Sequence, residues 1–417
     1  MNAPATPARA PLRPLDDALS ALLAQAQPLA GTEAVSTFEA DGRVLAQDIV
    51  SALQVPPQDN SAMDGYAVRS GEIVAAFDEK AGVLLPVSQR IPAGSAAQPL
   101  VPGSVARIFT GAPIPPGADA VVMQEDCEAA DGGVRVLRLP SAGQWIRRSG
   151  EDVTRGAVVL ARGQRLDPAA LGLAASIGLD RLQVAVRPRV ALFSTGDELV
   201  MPGQVAPADM PPGAIYNSNR FFLRRLLERL GCEVNDLGIV PDRRDATVEA
   251  LRQAAQGNDL ILTSGGVSVG EEDHIKPAVT QLGRLDLWQI AMKPGKPFAY
   301  GRIVDAHFIG LPGNPVSSFV TFVLLVRPFL LRLQGVAADP PPAMALPAHF
   351  DWPRPDKRRE FLRVRRNAQG GLDLFPNQSS GVLTSMAWAD GLVDVAPGQA
   401  IARGDSVRFL GLRELLA

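Results

Sequence analysis

Cysteine and aromatic residues are scarce in this chain. Among 417 residues there are 2 cysteines, Cys127 and Cys232, and aromatic side chains make up 5%. Two cysteines cannot build a disulfide framework, and these two form no CxxC pair with metal-binding spacing. Hydrophobic residues make up 46% of the chain and are mostly aliphatic, which favours buried parallel strands and helices. The composition predicts a globular protein of the reducing cytoplasm.

A strong net charge and a membrane-length apolar run are also missing. The formal net charge of −3 provides no basic field for a nucleic-acid backbone. Residues 1–14 lack the apolar region of a signal peptide. The longest apolar stretch, 319–333, is interrupted by Arg327 and Pro328 and is too short for a bilayer, so it predicts a core helix. We therefore expect no nucleic-acid partner and no membrane partner.

The residue composition and the strand and helix patterns change along the chain, which predicts several domains. Strand and helix patterns alternate between Arg189 and Gln334, which indicates a doubly wound α/β domain. Short turn-bounded runs indicate a strand-rich insertion, and consecutive prolines after Asp339 indicate a stiff linker. The last domain reads as a small barrel or sandwich, and we take a barrel as the prediction. The predicted boundaries are 13–54 with 151–186 for a discontinuous N-terminal linker domain, 55–150 for the strand-rich insertion, 187–336 for the α/β domain and 342–417 for the C-terminal β-barrel.

Several helices have identifiable patterns or start signals. Asp167 is placed to cap a helix that begins at Pro168, since proline fits the first helical position. Apolar residues at 222, 223, 226, 227 and 230 predict an amphipathic helix with Asn219 or Ser218 as its cap. The elements predicted with these are helices over 15–25, 219–230 and 246–256, and strands over 190–193, 233–240 and 259–263.

Acidic loops follow successive strands of the α/β domain. They carry Glu198, Asp242 and Asp273, each placed after the carboxyl end of a predicted strand. Open α/β sheets bind ligands outside those ends, so the three carboxylates can converge and hold Mg²⁺, which prefers oxygen ligands. The alternative is that each acid is a solvated loop residue. Glycines at 265, 266 and 270 allow backbone N–H groups to line an anion-sized hollow there.

Two further motifs suit an anion. In the stretch 291–298, Lys293 and Lys296 each precede a proline that stiffens the backbone, so two positive charges are held close together. Asn314 precedes Pro315 at the start of a long helix, where it is expected to cap, with or without a contact to ligand. In the insertion, 59–67 and 110–122 are dense in turn formers, which fits either tight turns or functional loops.

Eight ordered motifs together resemble the molybdopterin molybdenumtransferase family, which includes the bacterial MoeA proteins and the gephyrin E domain. They are Asp-Asn-Ser-Ala-Met-Asp-Gly-Tyr-Ala, Thr-Gly-Ala-Pro, Arg-Arg-Ser-Gly-Glu-Asp, Ser-Thr-Gly-Asp-Glu-Leu, Tyr-Asn-Ser-Asn, Ser-Gly-Gly-Val-Ser-Val-Gly, Lys-Pro-Gly-Lys-Pro and Pro-Gly-Asn-Pro-Val-Ser. The resemblance implies a homodimeric transferase that inserts molybdate into adenylylated molybdopterin, with Mg²⁺ as cofactor and AMP as product. The upstream molybdopterin adenylyltransferase is then an expected partner.

The resemblance also implies roles for individual residues. Glu198, Asp242 and Asp273 would bind Mg²⁺ and serve cleavage of the adenylate, while Lys293 and Lys296 would hold molybdate or the terminal phosphate. Asp59, Thr110 and Asp152 match positions implicated in activity, and the first two would act across the dimer interface. Arg363 and Ser380 match functional positions of the last domain, with Arg359 as a competing match for the arginine. The implied substrate-binding residues are Ser194, Thr195, Gly196, Asn217, Ser264, Gly265, Gly266, Ser268, Gly270, Pro312, Gly313, Asn314, Pro315, Arg363 and Ser380.

Two other functions compete with this interpretation. The related adenylyltransferase shares the α/β domain, but the insertion and the last domain argue against it. A non-catalytic molybdopterin-binding scaffold is the other alternative, because the gephyrin branch also anchors receptors. The acids at 59, 242 and 273 and both lysines favour an enzyme, since a scaffold does not need them.

Overall fold

The N-terminal segment begins with a short amphipathic helix. The structure is a computed structural model that describes residues 12–267, 274–337 and 340–416. Helix α1, Leu15–Leu23, buries Leu15, Ala18 and Leu22, which recur at helical spacing on one face. It ends two residues before the predicted limit, within the usual spread of helix ends. Two strands follow, β1 (Thr32–Ser36) and β2 (Ile49–Val50).

The insertion is rich in short strands, as predicted. One sheet has four strands, and a second sheet has three strands. Val68, Val105 and Val122 pack with Val134 and Val136 of the second sheet in one buried cluster. The elements are β3 (Asn60–Ser61), β4 (Gly65–Val68), α2 (Ser70–Ala76), β5 (Val83–Leu85), β6 (Val87–Ile91), β7 (Val105–Ile108), β8 (Ala120–Met123), β9 (Cys127–Ala130), β10 (Gly133–Val136) and β11 (Ile146–Arg147).

The chain then returns to the segment that precedes the insertion. β12 (Val158–Leu160) pairs with β2, and β13 (Arg181–Ala185) pairs antiparallel with β1. Between them lies α3 (Pro168–Ser176), where the Asp167 side chain accepts a hydrogen bond from the Ala170 N–H at 2.8 Å. The predicted cap is therefore confirmed. The domain boundaries given above stay predictions.

The α/β region is built on a mixed six-stranded sheet. Its parallel part has β17, β14, β18 and β22 in that order, and β21 and β19 extend it antiparallel. The elements are β14 (Arg189–Thr195), β15 (Leu199–Val200), β16 (Ile215–Tyr216), α4 (Asn219–Arg229), β17 (Glu233–Val240), α5 (Arg244–Ala254), β18 (Leu260–Ser264), α6 (Ile275–Leu282), β19 (Gly283–Gln289), β20 (Met292–Lys293), β21 (Pro297–Ile303), β22 (Ala306–Leu311), α7 (Pro315–Thr321) and α8 (Arg327–Leu333).

Helices cover both faces of this sheet. Leu223, Leu226 and Leu227 of α4 pack in one core cluster with α7 and α8, while α5 and α6 pack in a second cluster on the opposite face. The connection through α4 leads from β14 to one neighbour, β17, whereas the connection through α5 leads back past β14 to β18. The strand order thus reverses between β14 and β18. Ligands bind open α/β sheets outside the carboxyl ends at such a point.

The predicted core helix is longer than expected. α7 and α8 are joined by a π-helical turn, Phe322–Val326, into one helical run. Pro328 lacks the N–H that an interior helical residue donates, so one backbone hydrogen bond of the helix is missing. A π-helical turn can accommodate this missing bond. By length and composition alone this 19-residue run could cross a membrane, contrary to the prediction that it is too short. However, 78% of the apolar segment of this run is buried inside the protein.

The C-terminal region is strand-rich and joined to the α/β region. Its sheet has the order β20, β24, β26, β27 and β23, with β25 paired to β24. β20 belongs to the preceding region, and its parallel pairing places Lys293 opposite Glu360. A bridge between Ala348 and Leu372 also links the end of β23 to β25. The elements are β23 (Met344–Pro347), β24 (Arg359–Arg366), β25 (Leu372–Leu374), α9 (Thr384–Trp388), β26 (Gly391–Val395), β27 (Ser406–Gly411) and α10 (Leu412–Leu416).

Candidate functional site

A large cavity lies at the carboxyl ends of β14, β18 and β22. Its volume is about 790 Å³. The predicted residues that line it are Ser194, Thr195, Gly196, Glu198, Asn217, Asp242, Ser264, Gly265, Gly266, Pro312, Gly313, Asn314 and Pro315. Loops that are far apart in the sequence therefore meet at the strand-order reversal. Ser268, Gly270 and Asp273 lie outside the described residues.

The turn after β18 requires glycine. Gly266 has a φ of +67°, and a Cβ there would lie 2.5 Å from Ile275 Cγ1 and 2.9 Å from Thr195 Oγ1. An L-residue would be strained in this conformation and would also clash. The preceding glycine anchors the turn, since the Gly265 N–H donates to Leu311 O at 3.1 Å. The backbone can approach a ligand closely here because no side chain intervenes.

Two buried polar groups on the cavity wall have no hydrogen-bond partner within the described part of the chain. They are Ser194 Oγ, on a residue 1% exposed, and Asn217 Nδ2, on a residue 2% exposed. Leaving such a group unpaired costs about 1–3 kcal/mol, and buried polar groups in native proteins nearly always have partners. A hydroxyl and an amide N–H can both donate to an anion. A ligand with acceptor oxygens would satisfy them.

Asn219 is a site residue that the sequence prediction treated only as a cap. It lies on the cavity wall, and its Nδ2 donates to Ser264 Oγ and to Gly313 O, each at 2.7 Å. Of the two predicted caps, Ser218 occupies the N-cap position but makes no side-chain capping bond, and Asn219 is the first helical residue. Instead the Arg220 N–H donates to Asn217 Oδ1 at 3.2 Å. The two asparagines of the Tyr-Asn-Ser-Asn motif were the sequence feature that could have predicted a second site residue here.

The expected capping by Asn314 is also absent. Asn314 occupies the N-cap position of α7, and Pro315 is the first helical residue as predicted, but the Asn314 side chain makes no capping hydrogen bond. The loop from the C-terminal region contributes here, since the Val316 N–H donates to Ser380 O at 3.0 Å. Asn314 is exposed and lines the cavity. Because its side-chain amide does not cap α7, that amide remains able to bind a ligand.

Two of the three predicted metal ligands share the cavity wall. Glu198 lies over the backbone of Gly196, whose φ of +144° is a conformation that favours glycine. The Asp242 N–H donates to Asp197 Oδ1 at 3.0 Å, which fixes the loop that carries Asp242. Among the described residues no group of three His, Cys, Asp or Glu side chains is arranged to hold a metal ion. The third predicted acid, Asp273, is not among them.

The two predicted lysines differ in their environments. Lys293 Nζ lies 3.0 Å from Glu360 Oε1 and 3.4 Å from Asp356 Oδ2, so its charge is neutralised by the C-terminal region. Lys296 is half-buried and forms no ion pair in the described part of the chain. It adjoins Pro297, which lines the cavity, whereas Lys293 and Lys296 are not themselves lining residues. Lys296 is thus the better placed of the two to meet an anion.

The two candidate arginines also differ in whether a carboxylate neutralises them. Arg359 is held by Asp394, with two contacts of 2.6 Å, and by Asp16 at 2.9 Å. Arg363 is 1% exposed and donates to Ser385 Oγ and to the carbonyl oxygens of Phe361 and Ser379, each at 3.2 Å. Burial lowers its pKa to about 10, so it stays charged at neutral pH.

No carboxylate neutralises Arg363 within the described residues. A buried guanidinium without a counter-ion is costly, and it favours an anion nearby. The predicted residues Arg363 and Ser380 do not themselves line the cavity. The loop that contains Ser380 continues to Gly381 and Leu383, two cavity residues that the sequence prediction missed. The sequence around Gly381 and Leu383 contains no motif that would predict a binding site in the α/β region.

The predicted residues of the insertion lie outside this cavity. Asp59 accepts from Arg148 Nη1 at 2.6 Å and from the Ser149 N–H at 2.8 Å, and the Ser149 hydrogen bond is the main reason that its pKa lies below the ordinary value. The N–H and hydroxyl of Thr110 donate to Asp64 Oδ1 at 2.8 and 2.9 Å. Asp152 is exposed. Within one chain these residues do not meet the α/β loops on the cavity wall.

An apolar groove adjoins the cavity. Its volume is about 530 Å³, and it shares Tyr216, Ser218 and Leu383 with the larger cavity. Phe221, which is 52% exposed, and Phe222 form part of its wall. Tyr216 is held in place because its hydroxyl donates to Val205 O at 2.7 Å. The polar cavity therefore continues into a surface that suits a flat or apolar ligand group.

Three family models match consecutive parts of the chain. They are the MoeA N-terminal region (domain I and II) over residues 13–178, the probable molybdopterin binding domain over 191–332, and the MoeA C-terminal region (domain IV) over 345–412.

Curated relatives and a solved structure are similar over most of their length. A molybdopterin molybdenumtransferase of Haemophilus influenzae is 43% identical over 365 residues, covering 86% of this chain and 88% of the relative. One of Synechococcus elongatus is 38% identical over 378 residues, covering 88% and 92%. The crystal structure of a molybdopterin biosynthesis moeA protein from Pyrococcus horikoshii matches with a TM-score of 0.84 and 30% identity, covering 96% of this chain and 100% of that one.

Proposed function

This chain belongs to the molybdopterin molybdenumtransferase family, and from that premise we propose that its cavity binds adenylylated molybdopterin and molybdate and releases AMP. The family membership makes the chain a transferase that inserts molybdenum during molybdenum cofactor biosynthesis. The adenylylated form of the pterin, the release of AMP and the residues involved are our proposal. Its main support is the cavity wall, where buried donors and carboxylates converge.

The unpaired donors support binding of a phosphate bridge. Ser194 Oγ and Asn217 Nδ2 are buried without partners in the described residues, and the glycine turn at 265 and 266 exposes backbone beside them. Donors that are fixed before the substrate arrives need no reorganisation as negative charge develops. A phosphoanhydride between the pterin phosphate and AMP has the acceptor oxygens that these groups require.

The carboxylates support Mg²⁺ as the cofactor. Glu198 and Asp242 line one cavity and offer the hard oxygen ligands that Mg²⁺ prefers. Mg²⁺ is commonly held by one or two carboxylates together with substrate phosphates, so two described acids fit the ion, and Asp273 is the third proposed ligand. When bound, the ion would neutralise phosphate charge and favour departure of AMP. The carboxylates would hold the ion, and Asp197 orients the Asp242 loop.

We assign the molybdate to the cationic side of the site. Lys296 has no ion pair among the described residues and adjoins the cavity wall, and Arg363 is buried without a carboxylate. The positive charge of Lys296 beside the cavity favours binding of a divalent oxyanion, and Arg363 holds the neighbouring loop through its hydrogen bond to Ser379 O. Lys293 would act with them only when its contacts to Asp356 and Glu360 are exchanged for the anion.

The remaining predictions form part of the same proposal. A homodimer would bring Asp59, Thr110 and Asp152 of one subunit to the cavity of the other, which supplies a reason for the insertion to carry motifs. The aromatic groove at Phe221 would receive the planar pterin ring. The scarcity of cysteine supports a cytoplasmic enzyme, and the bridge from Ala348 to Leu372 supports closure of the C-terminal sheet as a small barrel. The upstream adenylyltransferase, as supplier of the adenylylated pterin, would be a partner.

The test is AMP release from adenylylated molybdopterin by the full chain, with and without molybdate and Mg²⁺. We expect release to require both, and Asp242→Asn to lower the rate by about 100-fold, since an amide binds Mg²⁺ less well than a carboxylate. The matched control is Asp305→Asn, an exposed acid between β21 and β22 at the opposite end of the sheet. Binding of the pterin without turnover would indicate a scaffold instead. Consumption of ATP to form the adenylylated pterin would indicate an adenylyltransferase.

A further inference from the structure

The Asn219 side chain connects two loops of the cavity. Asn219 is 8% exposed, and its Nδ2 donates to Ser264 Oγ and to Gly313 O, each at 2.7 Å. Ser264 ends β18 immediately before the glycine turn, and Gly313 precedes Asn314 in the loop between β22 and α7. Both acceptors line the cavity. One amide group therefore sets the spacing of two loops that come from different strands.

The chemistry of the amide is specific. A side-chain NH₂ group has two donor hydrogens, and both are used here on two different acceptors. The Ser264 hydroxyl accepts from Asn219, so its own hydrogen remains to donate, and Ser264 is 3% exposed on the cavity wall. The carbonyl of Gly313 is held toward the interior, which orients the peptide that leads to Asn314.

We propose that Asn219 is a positioning residue: it orients the Ser264 hydroxyl and the Gly313 to Pro315 loop toward the phosphate groups of the substrate. This inference rests on the proposed function of the cavity. Asn219 acts through Ser264 and Gly313, so its removal lowers the rate of the chemical step more than it weakens binding. Neither an acid nor an apolar residue of similar size can donate to both acceptors at neutral pH.

The decisive variant is Asn219→Asp, measured as AMP release from about pH 5.5 to about pH 8.5. A protonated carboxyl donates one hydrogen bond, whereas an ionised one only accepts and faces the Gly313 carbonyl. Burial, that carbonyl and the cavity acids Glu198 and Asp242 raise the pKa of the introduced acid, whereas the N–H groups at the start of α4 lower it. The nearest basic group along the helix, Arg220, is paired with Asp236 at 2.8 Å.

We expect Asn219→Asp to lose about 10-fold to 100-fold in kcat/KM at the alkaline end, mostly through kcat, and to recover as the pH falls. Recovery is judged against the wild type at each pH. Asn219→Leu removes both donors without adding a charge, so its loss should be of similar size and independent of pH. The matched control is Asn258→Asp, because Asn258 Nδ2 also donates to two carbonyls, Ala254 O at 3.0 Å and Gln256 O at 3.3 Å, away from the cavity.

The outcomes separate two failures. If the wild type releases no AMP, the proposed function is wrong. If the wild type is active but both Asn219 variants retain full kcat at every pH, the positioning role is wrong. A purely structural role would lower the midpoint of thermal unfolding without changing kcat per folded molecule. Should Asn219→Asp unfold at high pH, the kcat of Asn219→Leu decides the question.

Discussion

Replacing each lysine of the Lys-Pro-Gly-Lys-Pro motif with methionine should separate a binding role from a structural one. Lys296→Met removes a half-buried charge that has no ion pair among the described residues. Two unit charges about 4 Å apart interact by about 1 kcal/mol in water and about 4 kcal/mol near a protein surface, so we take about 2 kcal/mol for this environment. That corresponds to a rise of about 30-fold in the KM for molybdate. The folded state should lose no stability.

Lys293→Met should have the opposite effect. Its partner Glu360 is 1% exposed, and Lys293 lies 3.0 Å from Glu360 Oε1, an oxygen with no hydrogen-bond partner in the described residues. Breaking a buried ion pair costs about 3–5 kcal/mol, and we expect about 2 kcal/mol because the lysine side chain is 41% exposed. The other carboxylate oxygen keeps its bonds from Trp352 Nε1 and the Asp356 N–H. The double variant Lys293→Met, Glu360→Gln should regain most of that stability.

The assay is steady-state AMP release at increasing molybdate concentration, combined with thermal unfolding of each variant. Lys80→Met is the control, since this lysine is exposed in the insertion. We expect a raised KM without loss of stability for Lys296→Met, and a lowered unfolding midpoint for Lys293→Met. A normal KM for Lys296→Met, together with a raised KM and unchanged stability for Lys293→Met, would refute the reasoning.

Three further predictions follow from individual residues. Gly266→Ala should destabilise the protein by about 2–4 kcal/mol, measured by denaturant unfolding, because its φ is +67° and the new Cβ clashes with Ile275; unchanged stability would contradict the placement of the turn. Burial lowers the pKa of His307 to about 4, so stability should be full above about pH 6.5 and fall by about 3 kcal/mol toward pH 4, and His307→Phe should show a smaller fall. Phe221→Ala should raise the KM for the pterin substrate about 10-fold with kcat unchanged, whereas Phe221→Trp should leave the KM unchanged. Equal KM values for wild type and Phe221→Ala would contradict binding of the pterin ring in the groove.

Local patterns predicted the elements of the α/β region well. The strand over 233–240 has the predicted bounds, and the apolar spacing of Leu223, Leu226 and Leu227 identified the buried face of α4. Asp167 and Pro168 marked the start of α3 because capping depends on neighbours in the sequence. The convergence of Glu198 and Asp242 was also predictable, since both follow parallel strands whose carboxyl ends meet at one edge.

Features that depend on contacts between distant segments were not predictable. Nothing near Lys293 in the sequence indicates Glu360, because their contact arises from the pairing of β20 with β24. Asn219 and Asn314 satisfied the local pattern for caps, but neither caps its helix: Asn219 is used by two other loops and Asn314 faces the cavity. The π turn over Phe322–Val326 likewise depends on how a buried helix accommodates Pro328.

The central claim is tested most directly by a single-turnover reaction of the full chain with adenylylated molybdopterin, molybdate and Mg²⁺. The measurement is the amount of AMP released together with the amount of molybdenum bound to the pterin product. Our account predicts equal amounts of the two, with both forming about 100-fold more slowly when Asp242→Asn replaces the wild type. AMP release that proceeds at the same rate without molybdate, with no molybdenum in the product, would contradict it.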